Sequence, residues 1–272
     1  MRLLLAPDDA DTLDGLLAAG RAASAEGLDG VLLAPSADLP SPLVSAAALA
    51  GGVGHVLIAV EVPIGDRHPL ELAEEAAVVD LASGGRLVLI VHPADGTETH
   101  FDETLDFLRT AFAARPFRWT GERWRSPANL PENVHNPEKR TRLMPPPFQP
   151  RLEVWTGAGQ GGSAIARGIG HLAGASDDPG DLTLLWSGAD KNPVAIGAPR
   201  ARHERWEGGR ELVARLRAGR DAFGQDWAVV RAPTSAAREL GRYVRPRTQL
   251  DELPPGLEDH WDDHGSALGP CT

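Results

Sequence analysis

The sequence predicts an α/β fold with a parallel sheet, and two observations in the first 92 residues lead to this prediction. Four short apolar runs, each typical of a buried strand, alternate with three helix-like segments. Two of these runs, 56–62 and 87–91, are apolar almost throughout, as expected when helices cover both faces of a sheet. Such alternation builds right-handed βαβ units. Taken alone, the pattern fits either an open sheet or a sheet closed into a barrel.

Local signals fix the ends of these predicted elements. Thr12 or Asp11 can cap the first helix, because a side-chain oxygen there accepts a free N–H of the first turn. Gly27 ends that helix, since glycine readily adopts the left-handed conformation that often follows a helix. Ser83 to Arg86 end the third helix in the same way. The predicted strands cover 2–6, 30–34, 56–60 and 87–91, and the predicted helices cover 12–26, 43–50 and 70–81.

The pattern is less regular after residue 92. A helix is predicted over 101–114, and the stretch 115–150 is too long for an ordinary connection, which predicts an insertion or a lid. Strand five, 151–156, leads into the glycine-rich turn 157–163. Beyond it, short apolar runs with gaps too brief for a helix predict hairpins rather than βαβ units. The later predicted strands are 171–175, 182–186, 194–196 and 227–230, with helices at 206–223 and 235–243 and an irregular tail at 245–272.

Length, charge and cysteine content limit the classes of function. The 272 residues fit one domain spanning 1–272, and a net charge of −11 argues against a nucleic-acid partner. A single cysteine, Cys271, excludes a disulfide framework. No apolar run approaches the roughly 20 residues of a membrane span, and no signal peptide precedes the first strand, so we expect a cytoplasmic protein without a membrane partner. His260 and His264 have helical spacing but lack a third ligand, so no metal site is predicted.

Three stretches resemble the bacterial luciferase-like monooxygenases and occur in the order that this family has them. They are RHPLELAEEAAVVDLASGGRLVLIV (67–91), FDETLDFLRTAFAARPFRWTGERWRSP (101–127) and PPPFQPRLEVWTGAGQGGSAIARGIG (145–170). Proteins of this family are TIM barrels that bind a flavin, usually FMN, or the deazaflavin coenzyme F-420. The resemblance covers roughly residues 1 to 170. It implies a TIM (β/α)8-type barrel that is short and irregular in its C-terminal third, with an insertion after strand four.

In a TIM barrel the active site lies at the carboxyl ends of the strands. By this rule Asp8, after strand one, and His92, after strand four, are the predicted catalytic residues. A histidine titrates near neutral pH, so it can transfer a proton or hydrogen-bond a substrate carbonyl. Asp8 can hold a substrate amine or act as a base. The alternatives are structural: His92 would only hydrogen-bond the barrel rim, and Asp8 would only help to start a helix.

The predicted cofactor site follows strands three and five. The turn 157–163 lets the backbone approach a ligand, and the helix after it directs free N–H groups at an anion such as the flavin phosphate. In relatives, a cis peptide bond often lies beneath the flavin ring at the position of Glu61-Val62; the alternative is an ordinary strand end. The predicted cofactor contacts are therefore Glu61, Val62, Gly157, Ala158, Gly159, Gly162 and Ser163.

The resemblance implies an oxidoreductase that acts on a small organic substrate. We predict an FMN-dependent monooxygenase that uses reduced flavin and oxygen, and a separate flavin reductase as its partner, because no nicotinamide site is visible. Two alternatives stay open: deazaflavin-dependent hydride transfer on the same scaffold, and a non-catalytic partner subunit that has lost cofactor binding. Relatives are commonly dimers through helices two and three, and the small residues 46–50 permit close packing, so a homodimer is expected.

Overall fold

The computed structural model describes residues 1–39, 41–94, 98–113, 115–128, 139–190 and 192–249, and its centre is a closed barrel of eight parallel strands. The strands are β1 (Arg2–Pro7), β2 (Gly30–Leu33), β3 (Leu57–Ile64), β4 (Leu87–Pro93), β5 (Trp119–Thr120), β6 (Arg125–Ser126), β7 (Glu153–Thr156), β8 (Gly170–Ala173), β9 (Arg200–Arg205) and β10 (Trp227–Ala232). The order around the barrel is β1-β10-β9-β8-β7-β4-β3-β2, while β5 and β6 pair separately. The predicted TIM-type barrel is confirmed.

Helices connect successive barrel strands, and their ends follow the local signals in the sequence. Thr12 caps the first helix through its hydroxyl, which accepts the Gly15 N–H, and left-handed Gly84 ends the third. The helices are α1 (Leu13–Ala25), α2 (Pro42–Gly52), α3 (Pro69–Ser83), α4 (Phe101–Ala111), α5 (Gly161–Arg167), α6 (Pro179–Asp190), α7 (Gly209–Phe223), α8 (Ala237–Glu239) and α9 (Arg245–Gln249). Two 3-10 turns, Glu98–His100 and Thr234–Ala236, and one π turn, Leu240–Val244, complete the helical structure.

The core has two layers because side chains alternate along each strand. One set fills the barrel interior and includes Leu4, Ile90, Trp155 and Val229, each almost fully buried. The other set, from the opposite face of the same strands, packs against the surrounding helices. This arrangement explains why the strands are apolar on both faces and why polar residues inside the barrel are confined to its ends.

The C-terminal third is regular, so the prediction of hairpins and an irregular barrel there is wrong. Residues 182–186 belong to helix α6 rather than to a strand, with Leu182 and Trp186 buried one helical turn apart. Residues 194–196 lie in a turn. The seventh barrel strand is β9, which the sequence analysis missed. Each barrel strand in this third is followed by helical structure, as in the first half of the chain.

The insertion after β4 is held against α3 and α4 in the part that the structure describes. Glu103 of α4 accepts hydrogen bonds from the backbone N–H groups of Arg123 and Trp124 and from the Trp119 indole, at 3.0, 2.9 and 3.3 Å. These bonds fix the β5–β6 hairpin. Further along, the fully buried Asp80 accepts two bonds from Gln149, which returns the chain to the barrel. The insertion is thus attached at both of its described ends.

Aromatic rings give this insertion a small core of its own. Phe107 of α4 makes edge-to-face contacts with Phe117 and Trp119, at ring-centroid distances of 5.5 and 5.6 Å. His68, whose Nδ1 accepts the Leu70 N–H and so caps α3, stacks edge-on against Trp124 at 5.2 Å. Such contacts stabilise a folded element rather than leave rings free to line a pocket.

Two sequence-based expectations concern the end of the chain. The tail predicted to be irregular from residue 245 begins instead with helix α9. The remainder of that tail, 250–272, lies outside the described residues, and so does the His260 and His264 pair. Within the described ranges, no helix has the length and apolar character needed to cross a membrane.

Candidate functional site

The carboxyl ends of the barrel strands form a mouth lined by charged side chains. Buried apolar side chains fill the barrel interior as far as Ala59, Ile90, Ala201 and Val229. Because side chains alternate along a strand, the residue two positions further along faces the same way. The mouth is therefore lined by Glu61 of β3, His92 of β4, His203 and Arg205 of β9 and Arg231 of β10.

Glu61 and His203 join opposite sides of this mouth. Their strands, β3 and β9, are four places apart in the ring of eight, so they face each other across the barrel. His203 Nε2 lies 2.9 Å from Glu61 Oε1, and the two side chains are 26% and 15% exposed. A neutral His203 donates its Nε2–H to the carboxylate, which orients the ring and leaves Nδ1 for another partner. The contact forms a polar layer directly above the apolar interior.

His92 lies beside the glycine-rich turn. It is half-buried, and a Cβ built on Gly157 would approach the His92 Cβ to 3.1 Å. The backbone at Gly157 can thus pack against the histidine only because glycine has no side chain. Nδ1 of His92 is 3.3 Å from the carbonyl oxygen of Pro93, a long contact to its own strand end. The structure therefore brings His92 and the glycine-rich turn together.

The turn after β7 is open to solvent and offers free backbone donors. Ala158 and Gly159 are exposed, and Cβ atoms built on Gly159 and Gly162 meet nothing within 4 Å. The backbone N–H of Ala164 bonds to the Gln160 carbonyl, so the three preceding N–H groups, 161 to 163, are the free donors of the first turn of α5. Free donors beside an uncrowded backbone fit a flavin phosphate.

Ser163 differs from the prediction in where its hydroxyl points. Its Oγ donates to Asp102 Oδ1 of α4 at 2.6 Å, away from the barrel axis. Arg167 then forms ion pairs with Asp102 and Asp106 at 3.0 and 2.7 Å. These pairs offset the negative charge of Asp102 next to the turn. At Ser163, the backbone N–H is thus the group suited to an anion, while the side chain joins α5 to α4.

The remaining predicted site residues have different surroundings. Val62 packs in the layer between barrel and helices, so its side chain does not face the mouth. The cis peptide bonds of the described residues precede Pro127 and Pro145, so the Glu61-Val62 bond is not one of them, and it lies within β3 rather than at the end of that strand. Asp8 is exposed at the end of β1. Its neighbour Asp9 accepts the Thr234 N–H at 2.9 Å and is structural.

Sequence reasoning missed three mouth residues, His203, Arg205 and Arg231. The first two lie on the strand that was not predicted, and Arg231 follows the predicted end of its strand by one residue. The alternation of Ala201, His203 and Arg205 with residues that face the helices is the pattern that could have predicted this strand. No cluster of metal-ligating side chains occurs in the described portion of the chain.

Comparison with protein families gives a match over most of the barrel. A family model described as luciferase-like monooxygenase matches residues 4–175. No curated protein matches the chain. The matched range includes β1 to β8 and therefore the glycine-rich turn, Glu61 and His92, whereas His203, Arg205 and Arg231 lie beyond it.

Solved structures with the same fold cover nearly the whole chain. Monooxygenase RslO1 from Streptomyces bottropensis is 16% identical, with a TM-score of 0.68, over 89% of this chain and 97% of that one. The oxygenating constituent of 3,6-diketocamphane monooxygenase from Pseudomonas putida, in complex with FMN, is 14% identical. Its TM-score is 0.69, and the similarity covers 90% of this chain and 98% of that one. An F420-dependent secondary alcohol dehydrogenase is 12% identical, with a TM-score of 0.70, over 91% of this chain and 98% of that one. Similarity at these identities shows the fold alone.

Proposed function

We propose, because this chain belongs to the luciferase-like monooxygenase family, that it is an FMN-dependent monooxygenase acting on a small organic substrate. Enzymes of this family are flavin- or deazaflavin-dependent oxidoreductases. Reduced FMN, when bound, would supply the electrons with which oxygen is activated. The protein then has to bind the flavin, orient the substrate and control the protons at the barrel mouth.

The observation that best supports FMN is the turn after β7. The N–H groups of Gly162 and Ser163 would hold the phosphate, since they have no helical acceptor and, unlike buried Gly161, belong to residues that reach the surface. Exposed Ala158 and Gly159 leave the backbone accessible to the ribityl chain. The isoalloxazine ring would then extend over the mouth, next to His92 and the Glu61–His203 contact. The buried apolar interior below that contact excludes water from beneath the ring.

Proton transfer at the mouth is assigned to His203, with Glu61 as its positioning partner. A carboxylate that binds one ring nitrogen fixes the tautomer and stabilises the ring when it gains a proton. His203 Nδ1 is the nitrogen available to a substrate, because Nε2 faces Glu61. His92 supplies a second imidazole at the same rim. Asp8 remains a proposed substrate contact at the end of β1, next to β10.

Deazaflavin-dependent hydride transfer is the second candidate. It is favoured by the similarity to the F420-dependent alcohol dehydrogenase, which covers as much of this chain as the FMN complex does. The third alternative, a partner subunit without cofactor, draws support from the short chain, from the altered end of strand four at His92 and from the predicted irregular segment 171–200, and the structure removes only the last of these. The barrel is complete and its mouth carries charged residues, which favours the two cofactor-dependent candidates.

An anaerobic titration with reduced FMN, reduced deazaflavin and reduced riboflavin tests this proposal. We expect FMN to bind more tightly than the other two. A Gly162→Leu variant places a side chain where the phosphate would lie and should weaken FMN binding about tenfold, a typical loss for one or two charge-assisted hydrogen bonds. Riboflavin, which lacks the phosphate, should bind both proteins alike.

The matched control for this titration is Gly51→Leu. Gly51 is also a helical glycine with nothing within 4 Å of a built Cβ, but it lies on α2, away from the turn. Unchanged FMN affinity in Gly162→Leu, or equal losses in both variants, would reject the phosphate assignment. Tighter binding of the deazaflavin would favour hydride transfer instead.

Two partners belong to the same proposal. A separate flavin reductase would supply reduced FMN. A homodimer would form through α2 and α3, where Val44, Val78 and Leu81 are exposed apolar side chains at 58%, 49% and 41%. These two helices are neighbours, so the three side chains lie on one side of the barrel and would be covered together by a second copy.

A further inference from the structure

Two arginines with no described partner stand side by side at the barrel mouth. Arg205 of β9 and Arg231 of β10 are direct partners in the register of these neighbouring parallel strands. Both side chains are exposed. Ala201 and Val229 face the barrel interior, and Arg205 and Arg231 lie an even number of residues further along the same strands, so they face the same way. The two guanidinium groups therefore extend from adjacent strands on the same side of the sheet, above His203.

Among the described residues neither arginine forms an ion pair with a carboxylate, although the exposed Asp8 follows the neighbouring strand β1. Three other arginines of β9 and α7 have partners: Arg200 contacts Asp190, Arg202 bonds to the carbonyl of Asp177, and Arg215 binds Glu204 and Glu207. The guanidinium groups of Arg205 and Arg231, by contrast, make no hydrogen bond or ion pair that the structure describes. The chain has 38 acidic and 27 basic residues, so acidic side chains are in excess.

Like charges on directly paired strand positions repel each other. An arrangement of this kind becomes favourable when an anion lies between the two cations, because each planar guanidinium can donate two parallel hydrogen bonds to an oxyanion. The position also suits a ligand. β9 and β10 are the seventh and eighth strands of the barrel, and the loops after these two strands frequently hold phosphate groups in TIM barrels.

We infer that Arg205 and Arg231 form a binding subsite for an oxyanion group of the substrate, such as a carboxylate, sulfonate or phosphate. This inference rests on the proposed function. His203 precedes Arg205 by two residues on the same face, roughly 6.6 Å along the strand. An anionic group held by the arginines thus places the next few atoms of the substrate over His203 and Glu61. The flavin phosphate has its own donors on the turn after β7.

The inference is tested by calorimetric titration of the flavin-free protein with benzoate, benzenesulfonate and phenyl phosphate, and with benzamide as the neutral control. We expect at least one anion to bind at least tenfold more tightly than benzamide. The double variant Arg205→Gln/Arg231→Gln should lose that preference. The double variant with lysines should keep part of it, because the charges remain and the paired donors do not.

Arg21→Gln is the matched control, since Arg21 is an exposed arginine on α1, far from the mouth. Equal anion affinity in wild type and the glutamine double variant overturns the inference. An Arg21→Gln variant whose anion affinity falls as much as that of the double variant overturns it as well. FMN and riboflavin are titrated in parallel. A double variant that weakens FMN but not riboflavin would show that the arginines hold the cofactor phosphate, which also overturns a substrate subsite.

The flavin titrations separate the two failures. A protein that binds the anions through Arg205 and Arg231 but binds no flavin contradicts the proposed function and leaves the subsite standing. A protein that binds FMN normally and shows no preference for anions contradicts the subsite alone. Thermal unfolding of each variant checks its folding, and little change is expected because both side chains are exposed.

Discussion

Glu61 and His203 are 142 residues apart in the chain, yet their side chains meet at 2.9 Å across the mouth of the barrel. Closure of the sheet produces this contact, because β3 and β9 become opposite strands only in a ring of eight. The pair separates an apolar interior from a charged rim. In the proposed function, this pair is the group that carries a proton next to the flavin and the substrate.

We predict that removing the charge of Glu61 slows proton transfer without preventing flavin binding. In Glu61→Gln the hydrogen bond to His203 can remain, but the charge that favours a protonated ring is lost. The rate at which oxygen reoxidises bound reduced FMN should fall on the order of 10- to 100-fold. Stopped-flow absorbance measures this rate. Glu74→Gln, on the solvent face of α3, is the control and should behave as wild type.

The Glu103 anchor of the insertion should be sensitive to substitution. Glu103→Ala leaves two backbone N–H groups and one indole N–H without their acceptor, so the hairpin is expected to lose about 1–3 kcal/mol. Tryptophan fluorescence during urea unfolding reports the change through Trp119 and Trp124. Glu122→Ala, at an exposed position of the same hairpin, should have little effect. Equal stability of the two variants would contradict the anchoring role.

The same anchor predicts a loss of stability in acid. Burial by itself would raise the pKa of Glu103, but the hydrogen bonds from Trp124, Arg123 and Trp119 outweigh it, so the pKa lies below its usual 4.5. A carboxylate with a lowered pKa stabilises the fold fully above the unfolded pKa, and this contribution is lost as the pH falls through the folded pKa. The difference in unfolding free energy between wild type and Glu103→Gln should therefore shrink below about pH 4.5.

Burial of His171 should make the fold sensitive to mild acid. This histidine is 4% exposed between the barrel and α6, where its Nδ1 is 3.1 Å from the Thr156 hydroxyl, and burial lowers its pKa below 6.5. The unfolded state then binds the proton more readily, so stability is unaffected above pH 6.5 and falls as the pH drops towards the folded pKa. In His171→Leu the midpoint of urea unfolding should therefore depend less on pH over this range. His55→Asn, an exposed control, should not.

The proposed dimer predicts a different effect for two exposed apolar positions. Val78→Glu, on α3, should convert the dimer to a monomer, because a charge would be buried without a partner. Ile196→Glu, at a 67% exposed position in the turn before β9, should leave the assembly unchanged. Light scattering after size-exclusion chromatography measures the mass. A wild-type monomer would contradict the proposal.

The first half of the fold was predictable because burial leaves a simple pattern there. Strands covered on both faces are continuously apolar, and residues such as Thr12 and Gly84 mark helix ends by their own backbone chemistry. The family resemblance, rather than this pattern, decided between an open sheet and a barrel. The turn at Gly157 was predictable for a similar reason, since close packing on His92 favours glycine at 157 and the positive φ of 77° favours it at 159.

The C-terminal third was not predictable from the same pattern. In α6 Leu182 and Trp186 face the core while Leu184 between them is 74% exposed, so this short run of mostly apolar residues carries no helical period. Strand β9 lacks an apolar outer face. Its buried Glu204 pairs with Arg215 of α7 instead of packing against apolar side chains. A strand whose outer face is satisfied by ion pairs carries no hydrophobic signal. His203 was missed with that strand.

A crystal structure of the protein with FMN bound tests the central claim most directly. The account predicts the phosphate within hydrogen-bonding distance, about 3 Å, of the backbone N–H groups of Gly162 and Ser163. It also predicts the isoalloxazine ring over the Glu61–His203 contact. A flavin phosphate bound elsewhere at the mouth, or no bound flavin at saturating FMN, would contradict it.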